Sequence, residues 1–299
     1  VHDTAKVLVA SNVVFNTVGH NFIVETQTTA GSTFHRNLAM VNQMPMPAIT
    51  QPTLKAQNDD IPSGFWIRNA ANVFTDNAVG GSRGMGVWFD DAAGGPLVFQ
   101  RNTVHAAMTL GALRDFNMQS GVLLDCDGEQ PATSKVTDLL VYQNGHMGEH
   151  DPAGFWPEQC TKFRKGFAPF EMSRIYAIDN ASKNIELRSQ TDVYTMTDVI
   201  TTGSLLGGTD HGTGIFAQYG GTVTLKNPTF AHYKRPVLGS NDILGPWIAR
   251  FRIEGARFIE ADRASIAVPE SVTEALDDSF LPKGAYVVAG SKPTLSAPD

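Results

Sequence analysis

The sequence predicts an all-β protein, a parallel β-helix of roughly seven to nine coils with insertions at its turns. One observation is a repeated phrase, in which an apolar strand is followed by an asparagine and a few small residues, at irregular intervals of roughly 20 to 45 residues. A second observation is a set of short apolar strands that open with glycine between these phrases. Each phrase is too short to bury its own apolar face, and so it must stack on copies of itself.

The asparagines of the repeated phrase mark the expected bends between strands. They are Asn16, Asn37, Asn77, Asn102, Asn144 and Asn180, with weaker copies at Asn227 and Gly255. Asparagine tolerates the left-handed backbone conformation that a sharp bend requires, and stacked side-chain amides can hydrogen-bond to one another and to the backbone. A β-sandwich also has closely spaced strands, but it gives no reason for asparagine at one repeated position, so the β-helix is favoured.

The repeats also define the organisation of the chain. The strands that open with glycine begin at Gly64, Gly86, Gly121 and Gly214, and they are rich in β-branched and aromatic residues. Repeats extend over residues 1–268, and residues 269–299 are expected to form a C-terminal cap or tail, with a short amphipathic helix at 269–281. Residues 43–63 and 145–170 interrupt the repeat and are expected to be long loops that leave the β-helix.

Composition excludes some partners. The chain of 299 residues has a formal net charge of −7 and no basic stripe for phosphate binding, so nucleic acid is not an expected partner. No apolar run reaches the length of a transmembrane helix, so no membrane span is expected in this chain. The first residues enter the repeat directly, and we expect a monomer or a part of a longer chain. The sequence leaves open whether Cys126 and Cys160 form a disulfide or stay as buried thiols.

Charged residues are expected to form one column, because equivalent positions on successive coils of a β-helix stack about 4.8 Å apart. Four consecutive strands end at Glu25, Arg68, Asp90 and Asp125, and Asp91 and Asp127 follow closely. Two carboxylates one or two coils apart fit glycoside hydrolysis, in which about 5 Å suits retention and about 6.5–9.5 Å suits inversion of configuration. Two other interpretations stay open: the aspartates start turns, or they bind calcium through their carboxylate oxygens.

Histidines and aromatic residues supply further candidates. His20, His35 and His105 lie beside the expected bends, where an imidazole could transfer protons near neutral pH. His146 and His150 lie in a loop with Glu149 and Asp151, and a solvated loop is favoured there over a metal site. A platform for stacking sugars could include Phe65, Trp66, Trp88, Phe155 and Trp156, although at least half of these rings are expected in the core.

The stretch VLVASNVVFNTVGHNFIVET, followed by TFHRNLAM, resembles the β-helix region of the secreted and cell-surface hyaluronidases (cell-migration-inducing hyaluronidase, transmembrane protein 2) and their fibrocystin-like relatives. The residues that match the phrases of this family are His20, Phe22, Glu25, Asn37 and Leu38. The similarity continues through FWIRNAANVFTDNAVGGSRGMGVWF and RNTVHA, and more faintly through TVTLKNPTFAHY, so it covers most of residues 5–240.

The resemblance implies a right-handed parallel β-helix, secreted or at the cell surface, that binds or depolymerises hyaluronan with the help of calcium. The fibrocystin-like members also imply that this fold need not be catalytic. The calcium and the polysaccharide partner are therefore expectations from the resemblance.

Three functional hypotheses follow. The first is a glycoside hydrolase for hyaluronan or another acidic polysaccharide. Its catalytic candidates are Asp90, Asp125, His20, Glu25 and His105, and its substrate-binding candidates are Arg68, Trp66, Trp88, Asp91 and Asp127. The second is a non-catalytic glycan-binding or structural spacer module of a larger surface protein. The third is a polysaccharide lyase, which the sparse Lys and Arg residues near the column disfavour.

Overall fold

The computed structural model describes residues 4–25, 30–43, 61–107, 120–125, 131, 133–145, 153–158, 171–180, 183–187, 193–203, 213–217, 222–233, 235–239, 250–259 and 294–295. The regular elements in this part of the chain are all β-strands, and every pairing between them is parallel. The predicted parallel β-helix is confirmed.

The strands follow one another coil by coil. The first coil comprises β1 (Leu8–Ala10), β2 (Val13–Val18) and β3 (Phe22–Val24), and the second comprises β4 (Thr33–His35), β5 (Leu38–Gln43) and β6 (Ser63–Asn69). The third coil comprises β7 (Val73–Thr75), β8 (Ala78–Gly80) and β9 (Met85–Ala93), and the fourth comprises β10 (Val98–Gln100), β11 (Thr103–His105) and β12 (Ser120–Asp125). The fifth and sixth coils comprise β13 (Lys135–Tyr142) and β14 (Ala153–Glu158), then β15 (Glu171–Ile178) and β16 (Lys183–Leu187). The later strands are β17 (Val193–Thr197), β18 (Ile200–Thr202) and β19 (Thr213–Ala217); β20 (Thr222–Lys226), β21 (Thr229–Ala231) and β22 (Arg235–Gly239); β23 (Arg250–Glu254) and β24 (Arg257–Ile259); and β25 (Thr294–Leu295), which pairs with β24.

Each coil contributes to three faces. The first face contains β1, β4, β7 and β10, the second contains β2, β5, β8 and β11, and the third contains β3, β6, β9 and β12. Strands β13 and β15 continue from the first face onto the second, because each of them pairs with strands of both. The third face continues through β14, β16, β19 and β22.

One hydrophobic core extends along the axis, from Val24 to Ala256. Phe34 and Phe74 are register partners on the first face, and their rings stack with centroids 4.9 Å apart. Phe65 reaches across from the third face and meets both rings edge-on at 6.4 Å. Each fully buried side chain of this size contributes roughly 1.5–3 kcal/mol, so the stacked core stabilises every coil through its neighbours.

An asparagine ladder stabilises the corner between the first and second faces. The Oδ1 of Asn37 accepts both the backbone and the side-chain N–H of Asn12, at 3.1 and 3.0 Å. The same pair of bonds joins Asn37 to Asn77 and Asn77 to Asn102, at 2.9–3.0 Å. Buried polar groups at this corner therefore find partners within the stack.

The prediction that all these asparagines share one position is wrong. Asn144 and Asn180 form a second ladder at the corner after the second face, where the Oδ1 of Asn180 accepts two N–H groups of Asn144 at 3.1 and 2.9 Å. At the first corner the ladder ends at Asn102, since the next two coils place the buried apolar side chains of Leu139 and Ile175 there. The left-handed residue is also usually the one before the ladder asparagine, such as Asp76 with a φ of 58°.

These left-handed positions form a column of alternating charge. The column contains Arg36, Asp76, Arg101, Asp138, Arg174 and Asp198, all with φ between 53° and 58°. Arg101 donates to both carboxylate oxygens of Asp76 at 2.8 and 2.9 Å, and Arg174 makes the same fork with Asp138. The hydrogen bonds from these guanidinium groups lower the pKa of Asp76 and of Asp138.

The strands of the third face open with glycine because the coils approach closely there. A Cβ on Gly86 would lie 2.1 Å from Cγ1 of Val104 and 2.4 Å from the backbone oxygen of Gly121. The third face can therefore approach the second only where no side chain intervenes.

Candidate functional site

On the third face, the strand register aligns the residues that come directly before four predicted site residues, and the register between β6 and β9 shifts after Ile67, where Asn69 pairs with Ala93. Val24 pairs with Ile67, Ile67 pairs with Phe89, and Phe89 pairs with Leu124. The residues that follow these four are Glu25, Arg68, Asp90 and Asp125. We name these four residues the charged column.

The charged column faces away from the core. Ile67 and Phe89 are buried in the core, so the next residue of each strand points to the outside. Arg68 is exposed, whereas Asp90 and Asp125 are partly buried. Because β9 and β12 are adjacent strands, the two aspartates lie on neighbouring coils, about 4.8 Å apart along the axis.

The fifth coil adds a strand to the third face in a segment that sequence reasoning assigned to a loop. Residues 153–158 form β14, and Glu158 is the register partner of Asp125. The phrase AGFWPE repeats the glycine, aromatic and acidic pattern of GVWFD, and this signal could have identified the strand. The prediction that 145–170 is one continuous excursion is therefore wrong for residues 153–158.

A series of contacts fixes the Asp90 carboxylate. The indole Nε1–H of Trp66 donates to Oδ2 of Asp90 at 3.0 Å, from the neighbouring coil. The Trp66 ring stacks on His20 with a centroid distance of 4.9 Å and an interplanar angle of 12°. Nδ1 of His20 accepts the backbone N–H of Ser63 at 3.0 Å, so the neutral imidazole carries its proton on Nε2. His20 therefore supports the charged column through Trp66.

The aromatic rings do not form the open platform that the sequence suggested. Trp66 is 2% exposed, Trp88 is 4% exposed and Trp156 is 1% exposed. They pack with Met85, Leu123 and Ala153 in a second apolar cluster, on the outer side of the third face. Phe65 and Phe155 belong to the main core. The faces of these rings are therefore closed to a sugar in this conformation.

The other two histidines lie on other faces. His105 is in β11 on the second face and stacks on Tyr142 of the next coil, with ring centroids 4.9 Å apart and an interplanar angle of 13°. Because these rings stack along the axis, they present their edges to solvent. His35 lies on the first face, where its Nδ1 is 3.0 Å from Oγ1 of Thr75. The structure therefore brings only His20 of the three near the charged column.

For several predicted residues the structure describes only the backbone or does not include the residue. The backbone of Asp91 belongs to β9. Some of the predicted features lie outside the described residues: Asp127, Cys126, Cys160, His146, Glu149, His150, Asp151 and the predicted helix at 269–281. Within the described residues, no group of three or more His, Cys, Asp or Glu side chains could hold a metal ion. The calcium site therefore stays a prediction.

The fold and the charged column define a class, a parallel β-helix with ionisable side chains stacked on its third face. Residues 1–120 match the family model of the CEMIP beta-helix. The predicted resemblance to this β-helix family and its fibrocystin-like relatives is confirmed.

Two related proteins support the same resemblance. The chain is 30% identical over 114 residues to fibrocystin-L of Mus musculus, which covers 37% of this chain and 2% of that protein. It is 29% identical over 161 residues to fibrocystin-L of Homo sapiens, which covers 48% of this chain and 4% of that protein. The chain thus spans a very small part of the length of these relatives. No solved structure matches it. The described residues contain no helix long and apolar enough to cross a membrane.

Proposed function

We propose that this chain is a carbohydrate-active module of an extracellular or cell-surface protein, and that it hydrolyses hyaluronan or another acidic polysaccharide. The observation that carries the proposal is that Phe89 and Leu124, which directly precede Asp90 and Asp125, are register partners on neighbouring strands of the third face. A separation of about 5 Å between two carboxyl groups suits a retaining glycosidase. The resemblance to the hyaluronidase β-helix supports the choice of an acidic glycan.

The surroundings of the two aspartates suggest their roles. Asp90 is held by the N–H of Trp66, as a nucleophile must be held in line with the anomeric carbon. Asp125 would then protonate the glycosidic oxygen while the bond to the leaving sugar breaks and Asp90 attacks the anomeric carbon. In the second step Asp125 would take a proton from water, which hydrolyses the glycosyl ester on Asp90 and completes retention.

Arg68 gives the site its preference for an acidic substrate. It is exposed and lies one coil before Asp90. A guanidinium can bind a sugar carboxylate through two parallel hydrogen bonds, which offsets the repulsion from the neighbouring aspartates. No step is assigned to calcium, because the described residues do not supply three ligands to one point.

Product analysis tests this proposal. Hyaluronan incubated with the chain should shorten, and it should stay intact with Asp90→Asn or Asp125→Asn. Asp198→Asn, a carboxylate change on the first corner, is the matched control and should cleave like the unchanged chain. Cleavage by both column variants would refute the assignment, and unsaturated ends on the products would identify a lyase.

A second candidate is a rigid module without catalysis. It is favoured by the single core that joins all the described coils from Val24 to Ala256. Such continuity suits a spacer that holds other parts of a surface protein apart. This alternative predicts that folded chain leaves every acidic polymer intact.

A further inference from the structure

The outer side of the second face is apolar from β2 to β21. In each of these strands a residue that points into the core lies between two that point outward, as the buried Val79 lies between Ala78 and Gly80. The register aligns the outward residues in two adjacent columns: Val13, Leu38, Ala78, Thr103, Leu140, Tyr176, Ile200 and Thr229, and Phe15, Met40, Gly80, His105, Tyr142, Ile178, Thr202 and Ala231. We name these two columns the second-face stripe.

The composition of the second-face stripe is that of a contact surface. It contains no Asp, Glu, Lys or Arg, whereas the outward positions of the first face include Lys135, Glu171 and Arg252. Val13 and Phe15 are 68% and 62% exposed, and the rest of the stripe is partly buried except at Ala231. A contiguous apolar surface of several hundred Å² on a folded protein is typical of a site that binds another protein.

The size of the stripe fits a dimer interface. The strands from β2 to β21 stack about 4.8 Å apart, which gives a length of roughly 35 Å along the axis. The six residues of β2, or of β5, span about 20 Å across the face. This face therefore offers about 700 Å², close to the roughly 800 Å² that each partner buries in a stable complex.

The charges at the edge of the stripe are complementary to those of a second copy of the chain. The column at the corner with the first face is Arg36, Asp76, Arg101, Asp138, Arg174 and Asp198. Because it begins with an arginine and ends with an aspartate, the reversed column has the opposite charge at every level. A second copy that runs in the opposite direction, with a two-fold axis between the coils of Arg101 and Asp138, therefore places every arginine opposite an aspartate.

The same two-fold axis also pairs large side chains with small ones. It places Phe15 opposite Ala231 of the second copy, at the two ends of the stripe. Nearer the centre it places Ala78 opposite Tyr176. Complementary sizes let two sheet faces interdigitate at the packing density of a protein interior.

We propose that the second-face stripe is the interface of a homodimer, in which two copies pack face to face with antiparallel axes. This partner takes the place of the monomer that the sequence suggested. The proposal is independent of hydrolysis, since the charged column lies on the third face.

Sedimentation velocity on the whole chain, from about 1 to 100 µM, tests the dimer, because interfaces of this size have dissociation constants at or below the micromolar range. Leu140→Lys places a charge at the centre of the stripe, once from each copy, and should raise the dissociation constant at least about a hundredfold. Val98→Lys is the matched control, since Val98 points outward on the first face beside Lys135. This variant should dimerise like the unchanged chain.

An exchange of side chains tests the arrangement of the two copies. Ala78→Tyr places a second large ring opposite Tyr176 of the second copy, and it should weaken the dimer about a hundredfold. Adding Tyr176→Ala should restore the dissociation constant to within about tenfold of the original. Within one chain these residues lie three coils apart, about 14 Å along the axis, so the restoration requires contact between copies.

Three results would overturn the proposal. The first is an unchanged chain that stays a monomer at 100 µM, since the stripe then does not bind a second copy. The second is a dimer that Leu140→Lys leaves intact, which would place the contact on another surface. The third is an Ala78→Tyr and Tyr176→Ala double variant that dissociates as readily as Ala78→Tyr while keeping the circular dichroism spectrum of the unchanged chain. In that case the antiparallel alignment is wrong.

Discussion

Replacing Asn77 by alanine removes the centre of the first corner ladder. Asn77 is 5% exposed, and its Oδ1 accepts two N–H groups of Asn37 at 3.0 Å each. Its Nδ2 donates to the carbonyl of Phe34 and to Oδ1 of Asn102, also at 3.0 Å. In Asn77→Ala the buried backbone N–H of Asn37 loses its acceptor, which costs about 1–3 kcal/mol, and the other lost bonds cost about 1 kcal/mol each. We therefore expect the free energy of unfolding to fall by roughly 4–6 kcal/mol.

Asn12→Ala is the matched control, because Asn12 belongs to the same ladder but is exposed. Water can replace the bonds of its side chain, so the expected loss is below about 1 kcal/mol. Urea unfolding monitored by circular dichroism measures the free energy of unfolding of both variants, with one common dependence of this free energy on urea concentration used in the fits. A loss below 1 kcal/mol for Asn77→Ala, or equal losses for the two variants, would refute the argument that the buried ladder stabilises the corner.

Three further predictions concern charge and packing. The hydrogen bond from Arg174 lowers the pKa of Asp138 in the folded state. The stability that this pair adds is therefore present above the pKa of Asp138 in the unfolded chain, and it is lost as the pH falls through the lower folded-state pKa. Asp138→Asn should make the free energy of unfolding depend less on pH below about pH 4. Lys183 and Glu186 form a buried ion pair at 3.3 Å, so Lys183→Met should cost roughly 3–5 kcal/mol in chemical unfolding, and adding Glu186→Leu should restore most of it. Gly86→Ala should lower the melting temperature, since its Cβ would lie 2.1 Å from a valine methyl, with a cost of roughly 1–3 kcal/mol.

Each of these has a result that would contradict it. A pH profile of Asp138→Asn that parallels the unchanged chain would show that the corner pair adds no pH-dependent stability. A double variant at Lys183 and Glu186 that is no more stable than Lys183→Met would mean that the buried pair is not the origin of the loss. An unchanged melting temperature for Gly86→Ala would mean that the coils are not held at close approach there.

The charged column could be predicted because its strands share a local pattern. An opening glycine, a run of apolar residues and a final charged residue recur in GFWIR, GVWFD and GVLLD, and the parallel register aligns the last apolar residue of each run, Ile67, Phe89 and Leu124. The alternation of a strand also predicts that Asp90 points outward when Phe89 points inward. Glu158 was missed because the histidines, acids and prolines around it suggested a loop.

Other features depend on which coil packs on which, and a single phrase does not determine this. Asn102 and Asn144 follow similar apolar strands, yet they lie at different corners because β13 continues across two faces. The burial of Trp66 and Trp88 could not be predicted either, since alternation places a residue on the outer side of a strand without showing what packs over it. The stacking of His105 on Tyr142 likewise follows only from the register between coils.

The configuration of the first product tests the central claim most directly. Proton NMR of hyaluronan oligosaccharides during the first minutes of reaction shows which anomer the chain releases. Carboxylates on neighbouring coils predict release with retained configuration, and no release by Asp90→Asn. Release with inverted configuration, or release by Asp90→Asn at the rate of the unchanged chain, would contradict the assignment of Asp90 and Asp125 as the reacting pair.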